Sequence, residues 1–99
     1  ISESDMLKIV DIMTTEIKDR ISDIGFALEV SNSAKIWLAV EGFDSEYGAR
    51  PLRRILQNNL ENPLSTKILN GEFSDGDSVL VDLVDGRLTF ENRVPEEII

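Results

Sequence analysis

The sequence predicts an α+β domain in which helices pack on a small three-stranded sheet. Three observations carry that expectation. Apolar residues recur at three- and four-residue steps in the first quarter of the chain and again from residue 52, which is the period of an α-helix. From residue 79 the period changes to two, that of a half-buried strand. Turn-forming glycines and prolines separate these stretches, giving the order αβααββ, with four helices if Pro63 splits one of them.

The first helix is expected from Ser4 to Asp23, where Met6, Ile9, Val10, Met13, Ile17, Ile21 and Ile24 share one face. Ser2 and Asp5 make a capping pair at its start, and Gly25 a stop. Phe26, Leu28 and Val30 then alternate with Ala27 and Glu29 as a short strand. Ser31 or Ser33 caps a second helix running to about Val40, with Ala34, Trp37, Leu38 and Val40 facing inward and Gly42 just beyond its end. A turn-rich connection from Gly42 to Gly48 leads to a third helix starting near Ala49. Pro51 falls in its first turn, where a missing N–H costs little. Leu52, Ile55, Leu56 and Leu60 form its stripe, a kink or break is expected near Asn62 because Pro63 removes a hydrogen bond, and Leu64, Ile68 and Leu69 resume the pattern. Val79, Val81 and Leu83 alternate before the tight turn at Asp85-Gly86, which returns the chain through Leu88 and Phe90. Residues 1–91 are read as the domain and 92–99 as a loosely held tail.

Ninety-nine residues suit one core, since two domains of half that size would each bury too little surface. No apolar run approaches the roughly 18 residues of a membrane span. The start at Ile1 in place of Met reads as that of an excised fragment. With neither Cys nor His, the chain offers no disulfide framework and none of the usual zinc ligands, and no metal site is expected. Nineteen acidic against ten basic residues give a formal net charge of −9, which argues against duplex nucleic acid as a partner.

Three of the ten basic residues, Arg50, Arg53 and Arg54, nevertheless fall within five positions. If residues 50–54 are helical, the i, i+3, i+4 spacing puts all three on one face, opposite Leu52, Ile55 and Leu56. Cations in a first helical turn oppose the helix dipole, an arrangement that stability alone does not favour. They suit an anion, a phosphate above all, although the same arginines would equally pair with neighbouring acidic side chains. Trp37 is read as packing, Tyr47 as a residue that shapes its loop while its hydroxyl seeks a partner. Asp75, Asp77, Asp82 and Asp85 are read as turn and solvated-strand residues, since they lack the calcium-loop pattern.

Gly42-Phe43-Asp44 followed by Tyr47-Gly48-Ala49-Arg50-Pro51-Leu52-Arg53-Arg54 closely resembles the Gly-Ala-Arg segment of Clp-type AAA+ proteins. Glu61-Asn62-Pro63-Leu64, Ile68-Leu69-Asn70-Gly71-Glu72-Phe73 and Asp75-Gly76-Asp77 keep the family's spacing, so the resemblance runs from about Ser4 to Phe90. It is to the C-terminal lid subdomain of the second ATPase module in ClpC- and ClpB-like proteins. Asn62-Pro63-Leu64-Ser65 and Asp85-Gly86-Arg87-Leu88 look closer to ClpC.

The resemblance implies that Arg50 is the sensor-2 arginine, the one catalytic contribution of the lid, reaching the terminal phosphates of ATP. It implies that Gly48 and Ala49 let the backbone approach the nucleotide, and that Ile9 covers the adenine, although helix periodicity alone makes Ile9 core. The sequence has no Gly-x-x-x-x-Gly-Lys-Ser/Thr loop and no acidic strand end suited to magnesium, so the chain is expected not to be an enzyme by itself and to hold no nucleotide alone. ATP, with magnesium, would be bound by the full-length ATPase. The implied partners are the large AAA+ subdomain of the same chain, neighbouring subunits of a homohexamer and unfolded protein substrates. A Clp peptidase joins them where the family's docking loop exists, a loop lying outside this chain. A membrane partner is not expected, and the implied location is cytoplasmic. The alternative is a stand-alone acidic protein-interaction domain whose arginines dock carboxylates. A small independent enzyme is disfavoured, because no nucleophile–base pair is evident.

Overall fold

The computed structural model describes residues 1–93, and the expected tail from residue 94 onward lies outside the described residues. Helix α1 spans Glu3–Asp23. Its first turn is closed by a capping box: the Asp5 N–H donates to Ser2 Oγ at 3.1 Å, and the Ser2 N–H donates back to Asp5 Oδ2 at 3.2 Å. Met6, Val10, Ile17 and Ile21 are buried along one face. Thr14 joins them, its hydroxyl satisfied by the Asp11 carbonyl at 3.0 Å.

Strand β1 (Ala27–Val30) pairs in parallel with β2 (Ser78–Val84), and β2 pairs antiparallel with β3 (Arg87–Asn92), giving the sheet order β1-β2-β3. β3 thus reaches Asn92, and the Arg93 N–H donates to the Ser78 carbonyl at 2.6 Å. Leu28, Val79 and Val81 are buried on one face of the sheet, while Phe90 and Leu88 stand opposite Val81 and Leu83 and are half-buried.

Helix α2 (Asn32–Glu41) is capped by Ser31, whose Oγ accepts the Ala34 N–H at 3.1 Å and donates to Asp82 Oδ1 at 2.7 Å. One hydroxyl thereby starts the helix and ties it to the sheet. The Ser31 hydroxyl, and after it the Leu83 N–H, hold the Asp82 carboxyl below the usual carboxylate range. Ala34, Leu38 and Ala39 face the core, but Val40, expected inside, is 66% exposed. Two residues beyond Leu38 is about 200° around an α-helix, which is the opposite face.

Of the kink or break expected near Asn62, the structure has no break but an irregular, π-helical turn just before it. Residues 52–69 form one rod: α3 (Leu52–Leu56), a π-helical turn α4 (Gln57–Glu61) and α5 (Asn62–Leu69). The Asn62 N–H reaches back five residues to the Gln57 carbonyl, and Pro63 follows at once. This widened turn accommodates the proline and also serves the core. Leu52, Leu56, Leu60 and Leu64 recur at strict four-residue steps and are all buried. In a pure α-helix each such step drifts by about 40°, or about 120° over three steps, and would carry Leu64 off the core face. The wider turn takes up that drift. Leu69, expected inside, ends the rod at 86% exposure.

Candidate functional site

The end of α2 and the start of α3 meet at Gly42. A Cβ on Gly42 would lie 2.4 Å from Leu52 Cδ1 and 2.9 Å from Leu52 Cα, so only glycine permits this approach. The chain between them folds on itself through Asp44, whose backbone exchanges hydrogen bonds with Gly48 at 2.8 and 2.7 Å. The Asp44 side chain reinforces the turn, since its Oδ1 accepts the N–H groups of Glu46 at 2.8 Å and Tyr47 at 2.9 Å. Those two donors, Tyr47 first, hold the Asp44 carboxyl below the usual range. Gly48 sits at φ +63°, a left-handed conformation that side chains avoid.

Two further turns, from the Arg50 N–H to the Tyr47 carbonyl at 3.2 Å and from the Leu52 N–H to the Ala49 carbonyl at 3.0 Å, lead into α3. Arg50 therefore precedes the helix, contrary to the expectation of a helix from Ala49. The left-handed Gly48 and the i→i+3 bonds hold residues 49–51 in turns, and the first α-helical bond runs from the Ile55 N–H to the Pro51 carbonyl. The turns still bring the basic residues together. Tyr47, Arg50, Pro51, Arg53, Arg54 and Gln57 line an open depression of about 420 Å³.

The three arginines are not equivalent. Arg53 pairs with Glu16 of α1 at 3.6 Å. Among the described residues Arg50 and Arg54 have no carboxylate partner within 4 Å, in a chain with nineteen acidic residues. The Arg50 guanidinium carbon instead lies 5.3 Å from the centroid of the Tyr47 ring. The depression thus presents two exposed guanidinium groups whose forked donors suit the oxygens of a phosphate or a carboxylate.

The remaining residues singled out in the sequence fall elsewhere. Ala49 packs against the core beside the site. Ile9 is half-buried against the same core and does not line the depression. Trp37 packs partly buried against the core and lines a separate surface depression with Pro63, Leu88 and Phe90. Asp77 Oδ2 accepts the Ser74 N–H and the Asn92 side-chain amide, both at 2.9 Å, and Asp85 holds the hairpin turn at φ 50°. Among the described residues no group of three or more His, Cys, Asp or Glu side chains is gathered to hold a metal ion. Asp44 and Gly42 enter the sequence reading as a motif residue and a helix end, but their structural roles, capturing two N–H groups and admitting Leu52, come from the structure. The signal for the first was available: an Asp two and three residues ahead of the N–H groups it captures.

The family model describing the C-terminal, D2-small domain of ClpB protein matches residues 1–81. A chaperone protein ClpB of Corynebacterium efficiens is 45% identical over 86 residues, covering 87% of this chain and 10% of that protein. ClpB 1 of Nostoc is 37% identical over 98 residues, and the chloroplastic chaperone protein ClpD1 of Oryza sativa is 37% identical over 99, covering 99% and 100% of this chain and 11% of each relative. The chain thus spans about a tenth of the length of the relatives it matches. With the lid-like α+β fold and the Gly-Ala-Arg turn in place, the chain belongs to the D2-small, C-terminal domain family of the ClpB chaperones.

Proposed function

We propose that the chain is the lid and oligomerisation module of an ATP-dependent Clp unfoldase, and that Arg50 is its sensor-2 arginine. The observation that carries the proposal is the exposed guanidinium of Arg50, without a carboxylate partner among the described residues, on a turn fixed by Asp44 and Gly48, while its neighbour Arg53 pairs with Glu16. A stability role would place a carboxylate near Arg50. A role toward an incoming anion leaves it open. Arg50 and Arg54 fit phosphate oxygens, whereas magnesium would take its ligands from the large AAA+ subdomain. ATP bound there supplies the phosphoryl group that is hydrolysed. This chain contributes the charge that meets the terminal phosphates, with Gly48 and Ala49 keeping bulk away from them. Ile9 belongs to the core and enters the site only if that subdomain brings the adenine to its exposed edge.

In this reading the lid also couples nucleotide state to hexamer assembly and thereby to protein unfolding in the cytoplasm. The exposed apolar side chains of Ile1, Ile36, Val40 and Phe43, around a depression of about 260 Å³, offer surface for the large subdomain to cover. The rival reading, a stand-alone domain whose arginines dock carboxylates, predicts that joining the large subdomain brings no nucleotide to these arginines. The test is binding of a fluorescent ATP analogue to the chain alone and to the chain joined to its large subdomain. Micromolar binding is expected only for the joined protein. Binding by the chain alone, or none by either, would refute the proposal.

A further inference from the structure

We infer that Tyr47 is a positioning residue for Arg50, its ring taking the face of the guanidinium and leaving the N–H edge free for the phosphate. The inference rests on the reading of Arg50 as the phosphate-facing arginine. Tyr47 is 55% exposed, so the core does not explain its ring. Among the described residues no side chain hydrogen-bonds its hydroxyl, so the partner expected for that group is not what holds it. What does hold it is its own backbone. The Tyr47 N–H is captured by Asp44 Oδ1 at 2.9 Å, and its carbonyl accepts the Arg50 N–H at 3.2 Å. These two bonds fix the point from which the Tyr47 side chain leaves the backbone, beside Arg50. The ring centroid lies 5.3 Å from the Arg50 guanidinium carbon.

The chemistry of the pair is complementary. A guanidinium is planar, with its donors in the plane and its weakly hydrated face available to an aromatic ring. Contact with the ring therefore does not compete with forked donation to phosphate oxygens. It removes rotamer freedom that Arg50 would otherwise lose on binding, which is how preorganisation raises affinity. Arg54 lines the same depression but, among the described residues, makes no cation–ring contact, which leaves Arg50 the prepared donor of the two.

An exposed cation–ring contact supports an effect of about two- to fivefold on nucleotide use. The experiment is steady-state ATPase kinetics on the full-length protein carrying Tyr47→Leu, Tyr47→Phe, Arg50→Ala and the Tyr47→Leu/Arg50→Ala double change, with thermal melts of each. Tyr47→Leu is expected to lower kcat/KM for ATP by about two- to fivefold at an unchanged melting temperature, Tyr47→Phe to recover most of the loss, and Tyr47→Leu to add nothing once Arg50 is gone. A Tyr47→Leu protein equal to the parent, beside an impaired Arg50→Ala, overturns the inference and leaves the reading of Arg50 standing. Normal turnover by Arg50→Ala overturns both. An effect of Tyr47→Leu that persists undiminished without Arg50 also overturns it. Should Tyr47→Leu melt early, the proton shifts of the Arg50 side chain in this 99-residue chain decide: ring-induced displacement is expected in the parent and in Tyr47→Phe, and its absence from both contradicts the contact.

Discussion

Replacing Gly42 by alanine should loosen the junction that carries the site, by an amount the geometry allows to be worked out. The new Cβ would stand 2.4 Å from Leu52 Cδ1 and 2.9 Å from Leu52 Cα. A methyl end can rotate away, but a backbone atom cannot. Carbon atoms in contact settle about 3.5–4.0 Å apart, so the start of α3 must withdraw by roughly 0.6–1.1 Å. Overpacking of this kind costs about 1–3 kcal/mol. Gly42 has φ −90°, an ordinary conformation for alanine, so the substitution also stiffens the unfolded chain and returns about 0.4–1 kcal/mol. Taking the middle of each range, the overlap wins by about 1.3 kcal/mol. For a domain of this size that lowers the melting temperature by roughly 5–10 °C. Circular dichroism melts of the parent and Gly42→Ala chains measure it. An unchanged or raised melting temperature would show that the unfolded-state term dominates and that the close approach is not needed. Arg50 lies two residues before Leu52, so the same withdrawal should depress ATP turnover in the full-length protein.

Leu60→Ala empties the buried position inside the π-helical turn and should cost about 2–5 kcal/mol, read by denaturant titration; a cost well under 1 kcal/mol would mean the turn does not direct Leu60 into the core. Asp82→Asn tests the tie between α2 and the sheet through its pH dependence. The folded pKa of Asp82 is lowered, so its contribution is complete above the unfolded carboxylate pKa and is lost as the pH falls through the depressed folded value. The variant should melt below the parent near neutrality, and the gap should close as the pH drops below the ordinary carboxylate range. A gap independent of pH would remove the charge from the account.

Much of this fold was legible because local chemistry and global packing agree. Ser2 with Asp5, and Ser31 ahead of Ala34, are side-chain caps that need nothing beyond three neighbouring residues. The alternation of Val79, Val81 and Leu83 is likewise local, and it names the buried face of β2 correctly. The failures share a different origin. Pro63 reads as a breaker in isolation, but the four-residue spacing of Leu52, Leu56, Leu60 and Leu64 demands a wider turn, and the two irregularities resolve each other. Val40 and Leu69 read as inward for being apolar, although their angular positions place them outside. At the candidate site the motif located the basic cluster but not its construction. Arg50 lies in a turn because Gly48 is left-handed and Asp44 captures two N–H groups, and neither is a matter of helical periodicity.

The most direct measurement of the central claim compares Arg50→Ala with Arg53→Ala in the full-length protein. Arg50 is exposed and unpaired among the described residues, so its loss should leave the lid's melting temperature within about the shift expected of a surface charge, under 1 kcal/mol. Its forked donors have no substitute in alanine, so ATP turnover or nucleotide-dependent hexamer assembly should fall at least about tenfold, equivalent to roughly 1.4 kcal/mol. Arg53 is spent on Glu16 at 3.6 Å, and its removal should do much less. Normal turnover and assembly by Arg50→Ala would contradict the sensor assignment, and an unfolded lid would make Arg50 a structural residue.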